Sequence, residues 1–248
     1  MTPSPIRRVL SSMRIRGVRS LLMGGQACVF YGAAEFSRDT DLAIPASADN
    51  LDRFRAALAD LAAERIAVPP FEADYLQRGH AVHFRCHHPE AAGTRIDIMS
   101  VMRGVAPFEE LWERRTTIET RDGDVYDLMS LADLVQAKKT QRDKDWSMLR
   151  RLVEADYLQH RDHPSPEQIA FWLAEMRTPP FLIGLATRHP ELAAQVAATR
   201  PALAGAIASD TTLLEAALAE EEAAEREADR RYWQPLRAEL EALRREHR

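Results

Sequence analysis

The spacing of apolar residues changes at Ser130, and that change constrains the fold more than any other feature of the chain. Before it, short apolar runs with a period of two alternate with helical segments and turn residues, the pattern of half-buried strands joined by helices. After it, apolar residues recur at three and four, the pattern of helices with one buried face. The expectation is an α+β fold, a mixed sheet flanked by helices, followed by an all-helical C-terminal region. The polar stretch 160–166, with its two prolines, separates an expected first domain, 1–158, from a second, 164–248.

Strands are expected at 19–23, 40–44, 81–86, 94–101, 116–120 and 125–128, with hairpin turns at 88–93 and 121–124. Helices are expected at 26–33 and from Asn50, where Leu51, Phe54, Leu58 and Leu61 share a face. Beyond Ser130, one helical face runs through 130–157, and shorter helices follow at 167–176, 182–188, 191–198 and 201–208. The charged tail from Thr211 carries Trp233, Leu236, Leu240 and Leu243 on one stripe, with Pro235 among them. That stripe reads as core packing, and the acidic run Glu220–Glu222 as a solvated helix face.

At 46% hydrophobic and 29% charged residues, the 248-residue chain has the composition of an ordinary soluble protein. No apolar run reaches membrane-span length, and the basic segment 1–17 lacks the apolar stretch of a secretory signal. Two cysteines, Cys28 and Cys86, are too few for a disulfide framework and read as reduced thiols, which implies a cytoplasmic protein. The net charge of −5 argues against a surface that coats nucleic acid, though it leaves room for a local basic groove.

Chemistry concentrates in three aspartates. On a strand alternate side chains share a face, so Asp39 and Asp41 project together, while Thr40, Leu42 and Ile44 face the other way. Two close carboxylates repel without a counter-charge, and as an oxygen-donor pair they suit Mg²⁺. Asp97 lies between Ile96 and Ile98, so it faces away from whatever buries them. A mid-strand aspartate is disfavoured by propensity and calls for a task, either as a third ligand or in a salt bridge with Arg95. Upstream, Gly24-Gly25 ends a strand. Glycines let backbone N–H groups approach a phosphate, the helix that follows offers its positive end, and Ser37 and Arg38 are further donors.

These residues resemble the signature of the nucleotidyltransferase superfamily with the polymerase-beta-like fold. That signature is an apolar residue, Gly, and Gly or Ser, then Asp-x-Asp or Asp-x-Glu, with a third carboxylate on a later strand. Here Met23-Gly24-Gly25 is followed by Asp39-Thr40-Asp41, and Asp97 is similar to the third carboxylate. A different alignment would make Asp41 the first aspartate and put Ala43 at the second position; taking Asp39 and Asp41 as the pair keeps three carboxylates. The stretch Leu131 to Asp145, with Lys138, Lys139 and Arg142-Asp-Lys-Asp145, resembles the helix that follows the catalytic domain in toxin–antitoxin and antibiotic-resistance-type members.

The resemblance implies transfer of a nucleoside monophosphate from an NTP to an acceptor hydroxyl, on a tRNA end, a protein or a small molecule. Asp39, Asp41 and Asp97 would bind two Mg²⁺ ions, with Asp97 helping to deprotonate the acceptor. Gly24, Gly25, Ser37, Arg38 and Lys138 would hold the triphosphate. Lys139 reads as the exposed edge of its helix. A degenerate member, acting as a nucleotide-binding or toxin–antitoxin partner, is the alternative. His80, His83, His87 and His88 lie close to Cys86, but their spacing matches no common structural-zinc pattern.

Overall fold

A computed structural model describes residues 4–120 and 123–246. The tip of the hairpin expected at 121–124 therefore lies partly outside the described residues, which exclude Arg121 and Asp122. The chain separates into two compact units. The first contains the described residues up to Phe30, 34–137, and those from Tyr232 onward. The second contains 31–33 and 138–231.

The first unit holds the sheet. Its strands are β1 (Leu21–Met23), β2 (Thr40–Ala43), β3 (Ala63–Arg65), β4 (Val82–Cys86), β5 (Arg95–Met99), β6 (Thr116–Glu119) and β7 (Val125–Leu128). They form one seven-stranded sheet in the order β3-β4-β5-β2-β1-β7-β6. Pairing is parallel for β2 with β5 and for β1 with β7, and antiparallel elsewhere. The mixed sheet expected from sequence is present, with 125–128 matched as β7, the other five expected strands trimmed at one or both ends, and β3 added.

Strand alternation explains the burial. Val82, Phe84, Ile96, Ile98, Leu42 and Leu22 occupy one face and are almost fully covered. Helix α1 (Ser4–Ile15) precedes β1, α2 (Gly24–Phe30) follows it, and α3 (Ala48–Asp60) follows β2. Phe54 of α3 meets Phe84 with ring centroids 6.1 Å apart, and Phe71 closes the cluster at 5.4 Å from Phe84, so α3 covers the apolar face. In α1, Ile6, Val9, Leu10 and Met13 are buried at helical spacing. The unit is completed by α4 (Ala73–Gln77), α5 (Phe108–Glu113) and α6 (Leu131–Ala137).

The second unit is helical, as expected: α7 (Asp143–His160), α8 (Pro166–Glu175), α9 (Pro179–Arg188), α10 (Pro190–Ala197), α11 (Leu203–Ile207) and α12 (Thr211–Glu246) as far as Arg231. Proline opens α8, α9 and α10, where its missing N–H has no intrahelical partner to lose, so the helices begin slightly earlier than apolar spacing suggests. Ser165 and Gln168 form a reciprocal capping box at α8. Tyr157 packs against Trp172 and Phe181 at 5.1 and 5.0 Å between centroids.

Three expectations change here. The single helical face through 130–157 is interrupted at 138–142, where Trp146 Nε1 donates to the Thr140 carbonyl at 2.6 Å and Asp145 gathers nearby donors. Glu221 is no solvated acid: it receives Arg177 at 2.6 Å and Arg200 at 3.0 Å, both buried guanidiniums. Lys139 is also covered, its ammonium 2.8 Å from Glu175. Among the described residues no helix is long and apolar enough to cross a membrane.

Candidate active site

The register of the sheet determines which polar side chains meet. Asp41 on β2 is the direct partner of Asp97 on the parallel strand β5. On their outer sides Asp97 pairs with His83 of β4, and Asp41 with Met23 of β1. One line of side chains, His83, Asp97, Asp41 and Met23, therefore crosses four strands on the face opposite the apolar core. None of the four is fully buried, whereas the flanking lines through Ile96 and Ile98 are.

Met23 leads straight into the glycine pair. Gly24 has φ +64°, and a Cβ there would lie 2.0 Å from Asp41 Oδ2. The turn thus needs glycine twice over, for its backbone conformation and for the carboxylate lying on it. Gly25 N–H points at Asp41 Oδ2 over a long 3.4 Å, and a Cβ on Gly25 would stand 2.7 Å from Ser37 Oγ. Gly24, Gly25, Ser37 and Asp41 are consequently one cluster. Ser37 Oγ donates to the Asp39 carbonyl at 3.3 Å. Asp39 itself is exposed in the bend just before β2, and exposed Arg38 stands over the Phe36 ring at 6.0 Å.

Asp97 is held from two sides. Arg95, two residues earlier on the same strand face, donates Nε–H to Oδ1 at 2.6 Å, which is the salt bridge that spacing allowed. His83 Nδ1 lies 2.8 Å from the same oxygen and 3.1 Å from Arg95 Nη2. A single ring nitrogen serves only one of these, and an Nδ1–H directed at the carboxylate makes the charge-assisted bond. Burial pushes the Asp97 carboxyl up, but His83 and Arg95 outweigh it and hold the group below the usual carboxylate range. Oδ1 is committed to these two partners.

Lys138 belongs to the second unit. Its ammonium lies 3.3 Å from Asp145 Oδ1, with only 13% of the lysine side chain exposed. Asp145 also accepts from Thr140 Oγ1 and Arg142 Nε, each at 2.6 Å. Burial alone would raise this carboxyl too; Lys138, Thr140 and Arg142 prevail and hold it low. The Lys-to-Asp spacing read as part of a phosphate-binding helix is thus also a local ion-pair network.

The four histidines have separate partners. His80 is buried against Glu239 at 2.7 Å, His87 lies 3.7 Å from Glu64, and His88 Nδ1 accepts the Glu90 N–H. Neither cysteine is in a disulfide: the Cys86 thiol is pushed up to about 11 by burial, and buried Cys28 donates its Sγ–H to the Gly24 carbonyl at 3.1 Å. Among the described residues no three His, Cys, Asp or Glu side chains are gathered as a ready metal-binding set. The donor chemistry is nonetheless that of a hard cation: two carboxylates on adjoining strands, Oδ2 of Asp97 outside the arginine and histidine bonds, and Asp39 nearby in sequence.

His83 is the residue whose part in this cluster sequence alone did not assign. Alternation puts it on one strand face with Arg85, but only the long-range register brings it to Asp97. No protein-family model matches the chain, and no curated protein matches it.

Proposed function

We propose that the chain transfers a nucleoside monophosphate from an NTP to an acceptor hydroxyl. The observation that carries this reading is the direct register of Asp41 with Asp97 beside the Gly24-Gly25 turn. Paired carboxylates next to a turn with room for no side chain are what an anionic, metal-assisted site requires. Burial of Ala43, 1% exposed between Leu21 and Met99, favours Asp39 and Asp41 as the pair over Asp41 and Ala43, since a carboxylate at 43 would be covered.

Asp39, Asp41 and Asp97 would hold Mg²⁺. When bound, the metal would neutralise phosphate charge and stabilise the attacking and leaving oxygens. The backbone at Gly24 and Gly25, with Ser37 and Arg38, would hold the triphosphate. Arg95 and His83 fix the Asp97 side chain and keep it ionised, as a ligand and as an acceptor for the hydroxyl proton.

A second reading, a nucleotide-binding protein without catalysis, draws on the commitment of Asp97 Oδ1 to Arg95 and His83. One experiment separates them. Purified protein is incubated with each α-labelled NTP, Mg²⁺ and a cell extract, and thermal stabilisation by the same NTPs is measured in parallel. Label transfer that disappears in Asp41→Ala is expected. Stabilisation without transfer in any fraction would leave only the binding reading, and neither effect would overturn both.

A further inference from the structure

The donors around Asp97 limit how many cations it can share. A carboxylate oxygen has two lone pairs, and both of those on Oδ1 are in use, one toward Arg95 Nε at 2.6 Å and one toward His83 Nδ1 at 2.8 Å. Only Oδ2 remains for an ion. Arg95, by contrast, is committed through Nε. Its Nη2 lies 3.1 Å from His83 Nδ1, but that nitrogen directs its own hydrogen at the carboxylate and offers no acceptor. Among the described residues Asp97 is the one carboxylate paired with Arg95, and the arginine side chain is 38% exposed, open enough for a phosphate to reach.

Strand register sets this guanidinium among all three acids. Asp97 is the partner of Asp41, and one residue back from the Thr40–Ile96 pair the two strands carry Asp39 and Arg95. On its other side Arg95 is the cross-strand partner of Arg85, an exposed cation on β4. A metal ion brought to Oδ1 would therefore displace a charge-assisted bond and stand beside two guanidiniums.

We propose that Arg95 takes the place of one of the two metal ions expected of such a site, so that the chain binds a single divalent cation with each nucleotide. This rests on the nucleotidyl-transfer reading and departs from the two-ion arrangement that the resemblance implies. Charge agrees, since three carboxylates less one guanidinium leave an excess that one Mg²⁺ balances. During transfer the acceptor oxygen bonds the α-phosphorus, the bond from that phosphorus to pyrophosphate breaks, and the hydroxyl proton passes to Asp97 Oδ2. Negative charge on the phosphoryl oxygens is what the free Nη hydrogens of Arg95 receive, in the paired geometry that suits a guanidinium.

The test counts ions rather than turnover. The full chain is dialysed to equilibrium against Mn²⁺ and the α,β-methylene analogue of each NTP in turn, and the excess of Mn²⁺ and of nucleotide on the protein side is measured. Wild type and Arg95→Lys should each hold about one Mn²⁺ per bound nucleotide, and Arg95→Ala about two, because Oδ1 is released. Guanidinium ion added at millimolar concentration should return the Arg95→Ala count to that of wild type, which a merely structural arginine would not produce. Circular dichroism reports folding, and Arg95→Met, which keeps the stem of the side chain without its charge, replaces Arg95→Ala if alanine unfolds the chain. About two Mn²⁺ per nucleotide in wild type would overturn the proposal and leave nucleotidyl transfer standing. Equal counts in wild type and the uncharged variant would overturn it as well, since Arg95 would then not set the limit. Retention of neither Mn²⁺ nor any analogue by wild type would sink the proposal and nucleotidyl transfer together.

Discussion

Two adjacent residues of β2 show how local chemistry is placed under constraint. Asp41 lies on Gly24, so Gly24→Ala meets a carboxylate oxygen at 2.0 Å and a φ of +64° that alanine disfavours. The backbone preference alone costs about 1–2 kcal/mol, and the clash displaces Asp41 as well. Urea denaturation should report at least that loss of stability, and stabilisation by NTP with Mg²⁺ should vanish. Thr40 is the opposite case. It is fully buried, and its hydroxyl has no hydrogen-bond partner among the described residues. Thr40→Val removes that unsatisfied group at nearly constant volume and is expected to stabilise the fold by roughly 1 kcal/mol. An unchanged or lower melting temperature would contradict this.

At the start of α7 the same logic involves a whole segment. Asp145 is 3% exposed in its side chain and joins Lys138, Thr140 and Arg142 across the break after α6. Asp145→Ala leaves the half-buried Lys138 ammonium without its partner and should destabilise by about 3–5 kcal/mol in urea, the cost of breaking a buried pair. Acid should act through the same groups. Asp97, Asp145 and Glu239 are all held below their ordinary values in the folded chain, Glu239 chiefly by His80. The unfolded chain then takes up protons first, so their stabilisation is complete above about pH 5 and is lost progressively as pH falls through the ordinary values towards the lower folded ones. Urea midpoints measured from pH 7 to pH 3 should fall, and fall less steeply in Asp145→Asn.

Much of this architecture was legible in the chain itself. Period-two alternation located six of the seven strands and predicted that Asp97 would turn away from Ile96 and Ile98, because alternation is a local property of the backbone. The pairing of Asp41 with Asp97, and of Asp97 with His83, was not legible, since register is set by contacts between distant segments. The helix α1 was missed although Ile6, Val9, Leu10 and Met13 carry its spacing; the segment was weighed only as a signal sequence. Glu221 looked solvated because its acidic neighbours say nothing of Arg177 and Arg200, 44 and 21 residues away.

The membership of the two units has a consequence for the order in which they can be finished. The first unit includes residues from Tyr232 onward, and there Glu239 closes over the buried His80 and pairs with Arg78. A ribosome makes β1 to α6 before the second unit, but the partner that His80 requires, Glu239, emerges only after residues 138–231. The second unit, continuous from 138 to 231 apart from 31–33, is available sooner. Synthesis therefore runs from first unit to second, while completion runs from second to first. A chain stopped after Arg231 should contain a helical second unit and a first unit with an uncapped His80, readable as faster proteolysis within 73–86 than in the full chain.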